Sequence, residues 1–526
     1  SLAAATLDLQ ALLQRHGYHE AIIFGHALEG NLHFVFTQDF GDPAEVERYA
    51  RFMDEVCALV VQRYDGSLKA EHGTGRNMAP FVELEWGRQA TDLMRHLKAL
   101  LDPEGRLNPG VILNDDPQSH LKHLKPMPAA EAIVDSCIEC GFCEPLCPSH
   151  RLTLSPRQRI VSWRELSRRK AAQEAPGSVG SDFAYFGLDT CAGCGLCSTA
   201  CPVGIDTGEL TRLLRSRGLG SASHQVGKVV GSHFGKVAAL SRAGLAVGHT
   251  MSGVVGNDLL SKLSGGVWKK TMPRAGKAPQ PRAASGDPVV YFPTCGARIF
   301  GANSAEEPGL ADVVIELLVR AGYAPRLPEG YEKLCCGLML ASKGMAEEAD
   351  QMAQALTQAL RAAADDGQGG LYPIVMDASS CSTRMQKLLA ATLPVLDFHE
   401  FAHDALLPRL RLQRKAEPIA LHINCSVRRS ATDGKLRALV AACTTQTVEP
   451  AGVTCCGFAG DRGFVVPELN VHALRKIHAE LPSNCCEGVS TNRTCEIGLT
   501  EETGRPYRSV AYLLEECSRE DQPMPC

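Results

Sequence analysis

The 526 residues predict a multidomain chain, part α/β and part α+β, on three observations. Residues 19–113 alternate strand and helix signals. Two CxxCxxCxxxCP runs, at 137–148 and 191–202, occupy the middle. Residues 288–526 repeat one order twice: a strand into a cysteine, a Cys-Cys-Gly triplet, then a further cysteine. Such repetition predicts two similar α/β lobes with cysteines at strand ends.

The bulk numbers narrow the function classes. A net charge of −5 and a pI near 6.4 argue against nucleic-acid binding through a basic surface. No uninterrupted apolar run reaches the roughly 18 residues of a spanning helix. The first residues lack a basic stretch followed by an apolar run. Twenty-two cysteines in a long chain without an export signal point to metal chemistry in a reducing compartment. The expected location is cytoplasmic, with peripheral attachment to the inner face of the cytoplasmic membrane as an extension.

In chain order, 21–26 and 31–37 read as strands about a short connection in which Gly30 suits the turn. Residues 43–64 carry helical periodicity, 67–71 a short strand, and 85–101 a second helix closed by Asp102-Pro103 and Asn108-Pro109-Gly110. This first domain is placed at 1–114, with a polar, proline-bearing linker at 115–130. Residues 131–220 hold both cysteine runs, with helices at 157–172 and 208–217. Residues 221–287, rich in Gly, Ser and Lys with apolar clusters, read as broken helices, either a plain linker or a membrane-surface segment. The repeated lobes take 288–404 and 405–526, with strands at 289–294, 373–377 and 419–424.

Soft thiolates suit iron and inorganic sulfide. In a CxxCxxCxxxCP run the first three cysteines wrap one [4Fe–4S] cluster and the fourth reaches the other cluster. Cys137, Cys140, Cys143 and Cys201 are therefore expected on one cluster, and Cys191, Cys194, Cys197 and Cys147 on the second. Gly141 and Gly195 let the backbone approach sulfur, and Pro148 and Pro202 turn the chain away. The competing reading is a pair of zinc sites, which would not require the full eight-cysteine pattern. Two adjacent clusters imply single electrons passing through.

Cys295, Cys335, Cys336 and Cys381 form one later set, and Cys425, Cys455, Cys456 and Cys495 the other. They resemble the cysteine-rich CCG domains of glycolate oxidase iron–sulfur subunits, lactate-utilisation proteins and heterodisulfide reductases. The fullest version of that motif has a terminal CxxC, whose first positions are Ala378 and Asn492 here. Each lobe keeps four thiols, enough for an additional cluster or another metal centre; the alternative is buried structural thiols. Cys57, Cys443, Cys485, Cys486, Cys517 and Cys526 are expected to be ordinary small apolar residues.

In the first domain, 26–33 places His26 and His33 on neighbouring strands. The 69–76 segment sets Glu71 and His72 beside glycines. Two His and one Glu can hold a divalent metal with an open position, and a neighbouring His can take a proton near neutral pH. Satisfied surface or core histidines are the competing reading. These segments, with 107–110, resemble the C-terminal lobe of FAD-linked D-2-hydroxyacid dehydrogenases. The usual GDGN reads Leu28-Glu29-Gly30-Asn31 here. The resemblance implies His26, His33 and Glu71 as ligands of a divalent metal such as Zn or Mn, His72 as the base, and Asn108 on the cofactor side.

The order of flavoprotein lobe, α-helical two-[4Fe–4S] ferredoxin domain and duplicated CCG lobes resembles fused FAD and iron–sulfur dehydrogenases. It implies FAD carried by a domain preceding this lobe, and a chain that is the C-terminal part of a longer protein. The expected reaction is D-2-hydroxyacid oxidation, D-lactate to pyruvate first, with D-2-hydroxyglutarate or glycolate as alternatives. Val35, two beyond the second histidine, offers no polar group for a second carboxylate. The clusters would pass electrons to a quinone or cytochrome. A non-catalytic electron-transfer subunit and, more distantly, a CCG-based thiol reductase are the rival readings.

Overall fold

The computed structural model describes residues 1–526 except 70, 126, 280, 281, 283, 305, 390, 391 and 520–526. Two compact units divide between Ala129 and Ala130.

The first unit is α+β. Helix Leu2–Arg15 is capped by Ser1, whose side chain accepts from the Ala4 N–H, and its Leu9, Leu12 and Leu13 are buried. They pack with Tyr18, Phe52 and Val56, of which Phe52 and Val56 come from helix Pro43–Ala58. Each such fully buried side chain contributes about 1.5–3 kcal/mol. Asp42 caps that second helix and Pro43 opens it, a preorganised start. Strands β1 (Ile22–Phe24) and β2 (His33–Val35) pair antiparallel, with Phe24 opposite His33 and Ile22 opposite Val35. Both strands are shorter than the alternation predicts.

Three expectations for this unit need correction. The helical run does not continue as α-helix to 64, because a π-helix, Leu59–Arg63, follows Ala58. The later helix runs Val82–Leu101, interrupted at Gly87 (φ 74°, ψ 164°). No strand forms over the described residues of 67–71. The Leu68 N–H instead reaches the Glu85 carboxylate at 3.0 Å, so a side chain takes the donor that a strand partner would have used. Ala70, inside that stretch, lies outside the described residues.

In the second unit, 130–220 alternates cysteine-bearing loops with helices, among them the short Leu196–Thr199. Pro156–Ala171 begins with a Ser155/Gln158 capping box, Gly177–Phe183 follows, and Thr207–Arg217 is capped by Asp206. Helices Ser221–Ser232, Phe234–Val255 and Asn257–Leu263 occupy the next segment, which agrees with the broken-helix reading. Among the described residues no helix is long and apolar enough to cross a membrane.

Two parallel four-stranded sheets complete the unit. The first is ordered β4 (Tyr323–Arg326), β3 (Asp287–Phe292), β5 (Ile374–Met376), β6 (Val395–Asp397). The second is ordered β8 (Thr447–Val448), β7 (Ile419–Leu421), β9 (Glu487–Ser490), β10 (Tyr507–Ser509). Both run second, first, third, fourth along their own segment, so the duplication extends to topology. The central strands β3, β5 and β7 carry buried apolar runs, as strands covered on both faces require. Helices Leu310–Arg320, Asp433–Cys443 and Val510–Cys517 contribute to one core that spans both lobes, with Val314, Leu317, Leu436 and Leu513 inside it.

In a doubly wound sheet the switch point lies where the strand order reverses, at the carboxyl ends of the strands. Here it lies between β3 and β5, and between β7 and β9. Cys295 and Cys381 follow β3 and β5; Cys425 and Cys495 follow β7 and β9. The glycine of each CCG triplet is left-handed, Gly337 at φ +78° and Gly457 at φ +71°. A Cβ there would stand 2.2 Å from the Ala349 carbonyl oxygen or 2.5 Å from that of Leu469. The triplet thus needs glycine for both backbone and space.

One buried difference between the lobes places an ionisable side chain in the second. His422 stands three residues before Cys425, where Phe292 stands before Cys295. Its Nδ1 meets Ser490 Oγ at 3.1 Å, and its Nε2 has no hydrogen-bond partner among the described residues. Burial, aided by the Arg428 charge, pushes its pKa from 6.5 down to about 3. The unfolded chain therefore binds a proton that the folded one refuses. The neutral ring's stability contribution is present above pH 6.5 and is lost as pH falls toward 3. Replacing His422 with Phe is expected to flatten the decline of the urea midpoint across that window; a decline as steep as wild type would exonerate His422.

Candidate functional site

In the first unit the turn between β1 and β2 is held by Asn31, whose Oδ1 accepts the His26 N–H at 2.9 Å. A Cβ on Gly25 would stand 2.1 Å from the Asn31 carbonyl oxygen, so a glycine there lets the turn close. Glu71 sits among three imidazoles: His33 Nε2 at 3.3 Å, His26 Nε2 at 3.6 Å and His72 Nε2 at 3.3 Å. The ligand atoms of His26, His33 and Glu71 lie within 4.8 Å of one another. Phe24 stacks on His33 at 5.3 Å, and His33 Nε2 is buried without a hydrogen-bond partner among the described residues. A buried acceptor aimed at a carboxylate and a second imidazole fits a divalent cation. His72 is exposed beside this group. Val35 shares the His33 face of β2, since residues two apart on a strand point the same way. Asn108 (φ 43°) lies in an exposed turn where its carbonyl accepts the Val111 N–H.

In the second unit a cavity is lined by Cys137, Cys140, Cys143 and Cys201, with Arg157 and Ile205 among its walls. The first cysteine run and the last thiol of the second run thus meet. Cys140 is exposed, as are Ile138 and Phe142 beside it. The other group lies deeper, with Cys191 and Cys197 buried. Gly141 and Gly195, both at positive φ, occupy the tight turns expected of them.

Buried arginines organise these loops, and sequence reasoning did not single them out. Arg159, 1% exposed, donates to the Gly187 carbonyl at 2.7 Å, to Ser149 Oγ at 2.9 Å and to Cys147 Sγ at 3.7 Å. Its charge also acts on Cys191 and holds that thiol below its usual range against the effect of burial. Arg164 donates to the carbonyls of Asp135 (3.1 Å) and Cys137 (3.0 Å). Arg215 donates to those of Leu188 (2.6 Å) and Cys191 (2.9 Å). Cluster-binding loops lack a ladder partner for their carbonyls, and a planar five-donor group supplies several bonds at once.

Each later lobe gathers its four thiols. Cys335 Sγ lies 3.9 Å from Cys295 Sγ, and Cys381 is within hydrogen-bonding reach of Cys295 and Cys336. In the second lobe Cys455 reaches both Cys425 and Cys456, and Cys456 reaches Cys495. Arg298 Nε donates to the Pro293 carbonyl at 3.0 Å, and Arg428 Nε to that of Ile423 at 3.1 Å. Both arginines lie three residues after the first cysteine of their lobe, and both acceptors two residues before it. That repeated Cys-x-x-Arg was a readable signal. Asn492, where the fuller motif has a cysteine, donates from Nδ2 to Cys495 Sγ at 3.8 Å. Of the remaining cysteines, Cys57, Cys443, Cys485 and Cys517 are buried and Cys486 is exposed; Cys526 lies outside the described residues.

Comparison with known proteins defines the class. Residues 1–112 match the C-terminal domain of FAD linked oxidases, 133–205 a 4Fe-4S dicluster domain, and 289–386 a cysteine-rich domain. The chain therefore joins, in this order, segments similar to a FAD linked oxidase C-terminal domain, a 4Fe-4S dicluster domain and a cysteine-rich domain. Among relatives, it is similar to glycolate oxidase subunit GlcD of Bacillus subtilis, 37% identical over 93 residues, 18% of this chain and 20% of the relative. It is also similar to D-2-hydroxyglutarate dehydrogenase of Pantoea ananatis, 30% identical over 261 residues, 39% of this chain and 25% of the relative. A third is the probable mitochondrial D-lactate dehydrogenase of Danio rerio, 35% identical over 91 residues, 17% of this chain and 18% of the relative. The matches thus span about a quarter or less of these relatives' own lengths.

Arg159→Leu is expected to leave the Gly187 carbonyl and Ser149 hydroxyl without their buried donor. Anaerobically prepared protein should then lose about half the iron of its two [4Fe–4S] clusters, measured by colorimetric iron assay. Full retention would show that Arg159 does not secure the second cluster.

Proposed function

We propose that the whole protein oxidises a D-2-hydroxyacid to the 2-oxoacid and passes the electrons singly through the two clusters. The observation that carries this is the convergence of His26, His33, Glu71 and His72 in a domain of the FAD-linked oxidase class. A bound flavin would supply two-electron acceptance and a divalent metal held by His26, His33 and Glu71 would supply Lewis acidity, neither of which side chains provide. Around those groups the chain's own task is positioning and proton transfer. His26, His33 and Glu71 orient the substrate's hydroxyl and carboxylate, and His72 takes the hydroxyl proton on an imidazole nitrogen. Asn108 belongs to the cofactor side of the same lobe.

The clusters are assigned to Cys137, Cys140, Cys143 and Cys201, and to Cys147, Cys191, Cys194 and Cys197. D-lactate is the first substrate, because Val35 beside His33 offers no charge for a second carboxylate. A specific observation supports D-2-hydroxyglutarate as the second reading: the relatives from Pantoea ananatis and Escherichia coli, matched over 261 and 264 residues, carry that name. A quinone or cytochrome is the proposed acceptor. Peripheral contact with the inner membrane face fits the segment 221–270, where Leu240, Val247, Met251 and Val254 are exposed and Lys236, Arg242 and Lys262 add positive charge.

Dye reduction by the FAD-loaded protein tests the reading. His72→Asn is expected to lower kcat by roughly 100- to 10,000-fold, the usual worth of a general base, with iron content unchanged. No turnover of D-lactate, D-2-hydroxyglutarate or glycolate by protein with flavin and clusters loaded would defeat it and favour a relay subunit.

A second measurement addresses substrate choice. Val35→Arg should raise kcat/KM for D-2-hydroxyglutarate relative to D-lactate by about 10-fold or more, if a charge at that position meets the distal carboxylate. An unchanged ratio would place that carboxylate elsewhere.

A further inference from the structure

The two cysteine-rich lobes do not meet the cluster segment in the same way. Helix Leu196–Thr199, which carries Cys197, packs on helix Cys425–Arg429 of the second lobe. Arg429 covers Gly195 so closely that a Cβ there would stand 2.5 Å from its guanidinium. The same guanidinium lies 3.7 Å from Asp206 Oδ2, and Asp206 Oδ1 lies 3.8 Å from Cys197 Sγ. Around this contact Thr454 Oγ1 donates to the Leu146 carbonyl at 3.3 Å, and His472 Nε2 to that of His150 at 2.9 Å. Arg462 pairs with Asp189 at 3.2 Å. At the centre, the thiols of Cys194 and Cys455 lie within hydrogen-bonding reach of each other.

The first lobe approaches differently. A tie from it to the second cluster loop runs through Arg215, which donates to the Ser342 carbonyl at 2.8 Å and to that of Cys191 at 2.9 Å. A guanidinium and two carbonyls therefore stand where the second lobe has sulfur facing sulfur. The thiols of the first lobe are directed at one another.

We infer that the second lobe, rather than the first, is the electron acceptor of the deeper cluster. An iron–sulfur centre on Cys425, Cys455, Cys456 and Cys495 takes one electron at a time from the cluster on Cys147, Cys191, Cys194 and Cys197. The donor cluster is oxidised by one electron, the acceptor centre is reduced by one, and no bond or proton moves. Cys455 is the contact thiol, and Arg429 is a positioning residue that holds the two loops together. Asn492 completes the acceptor set as a neutral N–H donor to Cys495, so four thiolates and not five hold the centre. This inference rests on the cluster assignment of the proposed function.

The test uses the full chain, reconstituted anaerobically with ferrous iron and sulfide, reduced with dithionite and followed by EPR and iron assay. The two clusters of the cysteine runs couple to each other in any case; a centre beside Cys194 adds a third interaction. Wild type is expected to hold more than the roughly eight iron atoms of two [4Fe–4S] clusters and to show that added interaction. Cys455→Ser should abolish it, while Cys335→Ser, the matching change in the first lobe, should leave it intact. Arg429→Gln should keep the iron but shift the redox titration of the deeper cluster. An unaltered spectrum in Cys455→Ser, loss of the added interaction in Cys335→Ser, or a wild-type titration in Arg429→Gln would overturn the inference. So would iron stopping at about eight atoms with both run clusters intact. Absence of the run clusters themselves would instead bring down the cluster assignment, and this inference with it.

Discussion

The second unit depends on buried and half-buried guanidinium groups bonded to the carbonyls of cysteine-bearing loops. A loop that wraps a metal centre cannot also pair in a sheet, yet its carbonyls are too enclosed for water to serve them all. Arg159, Arg164 and Arg215 supply the missing donors in the cluster segment, as Arg298 and Arg428 do in the lobes. Taking a guanidinium out of water is costly. Several charge-assisted hydrogen bonds offset part of that cost, and anionic sulfur nearby offsets more. The arginines and the cysteines are therefore mutually dependent: loops without the cation are unsupported, and a buried cation without thiolates is poorly compensated.

That dependence explains what could be read beforehand. The cysteine runs were legible because spacing alone brings three thiols to one loop and sends the fourth to the other, and the cavity bounded by Cys137, Cys140, Cys143 and Cys201 has that grouping. The lobe duplication was legible because parallel strands leave short apolar runs, each ending in a cysteine. The His26, His33 and Glu71 set was legible as a motif, and its atoms do come together.

The misses have a common origin in tertiary context. A strand over 67–71 was a fair inference from composition, but the Glu85 carboxylate, distant in sequence, takes the Leu68 N–H. The arginines were overlooked because charged residues on a polar helix such as Pro156–Ala171 ordinarily face solvent. Nothing local distinguishes Arg159, which is buried, from Arg168, which is not. In the lobes the repetition of Cys-x-x-Arg did distinguish them. Comparing the two repeats position by position would have found Arg298 and Arg428, and also the exchange of Phe292 for His422.

Duplication ordinarily produces two equivalent sites, and the physical question is what makes them differ. Within each lobe four thiols gather, and a matching arginine, three residues after the first cysteine, fixes the loop. Besides the exchange of Phe292 for His422, a difference arises in what each lobe presents to the cluster segment. The second lobe offers Cys455 and the Arg429 guanidinium; the first offers the Ser342 carbonyl to Arg215. Electron transfer falls steeply with distance, so a sulfur-to-sulfur contact on one side and a backbone bridge on the other is enough to separate two otherwise similar sites. The deeper cluster, with Cys191 and Cys197 buried, then faces inward to the second lobe. The other cysteine group, with Cys140 exposed, has no such covering lobe thiol among the residues that line its cavity.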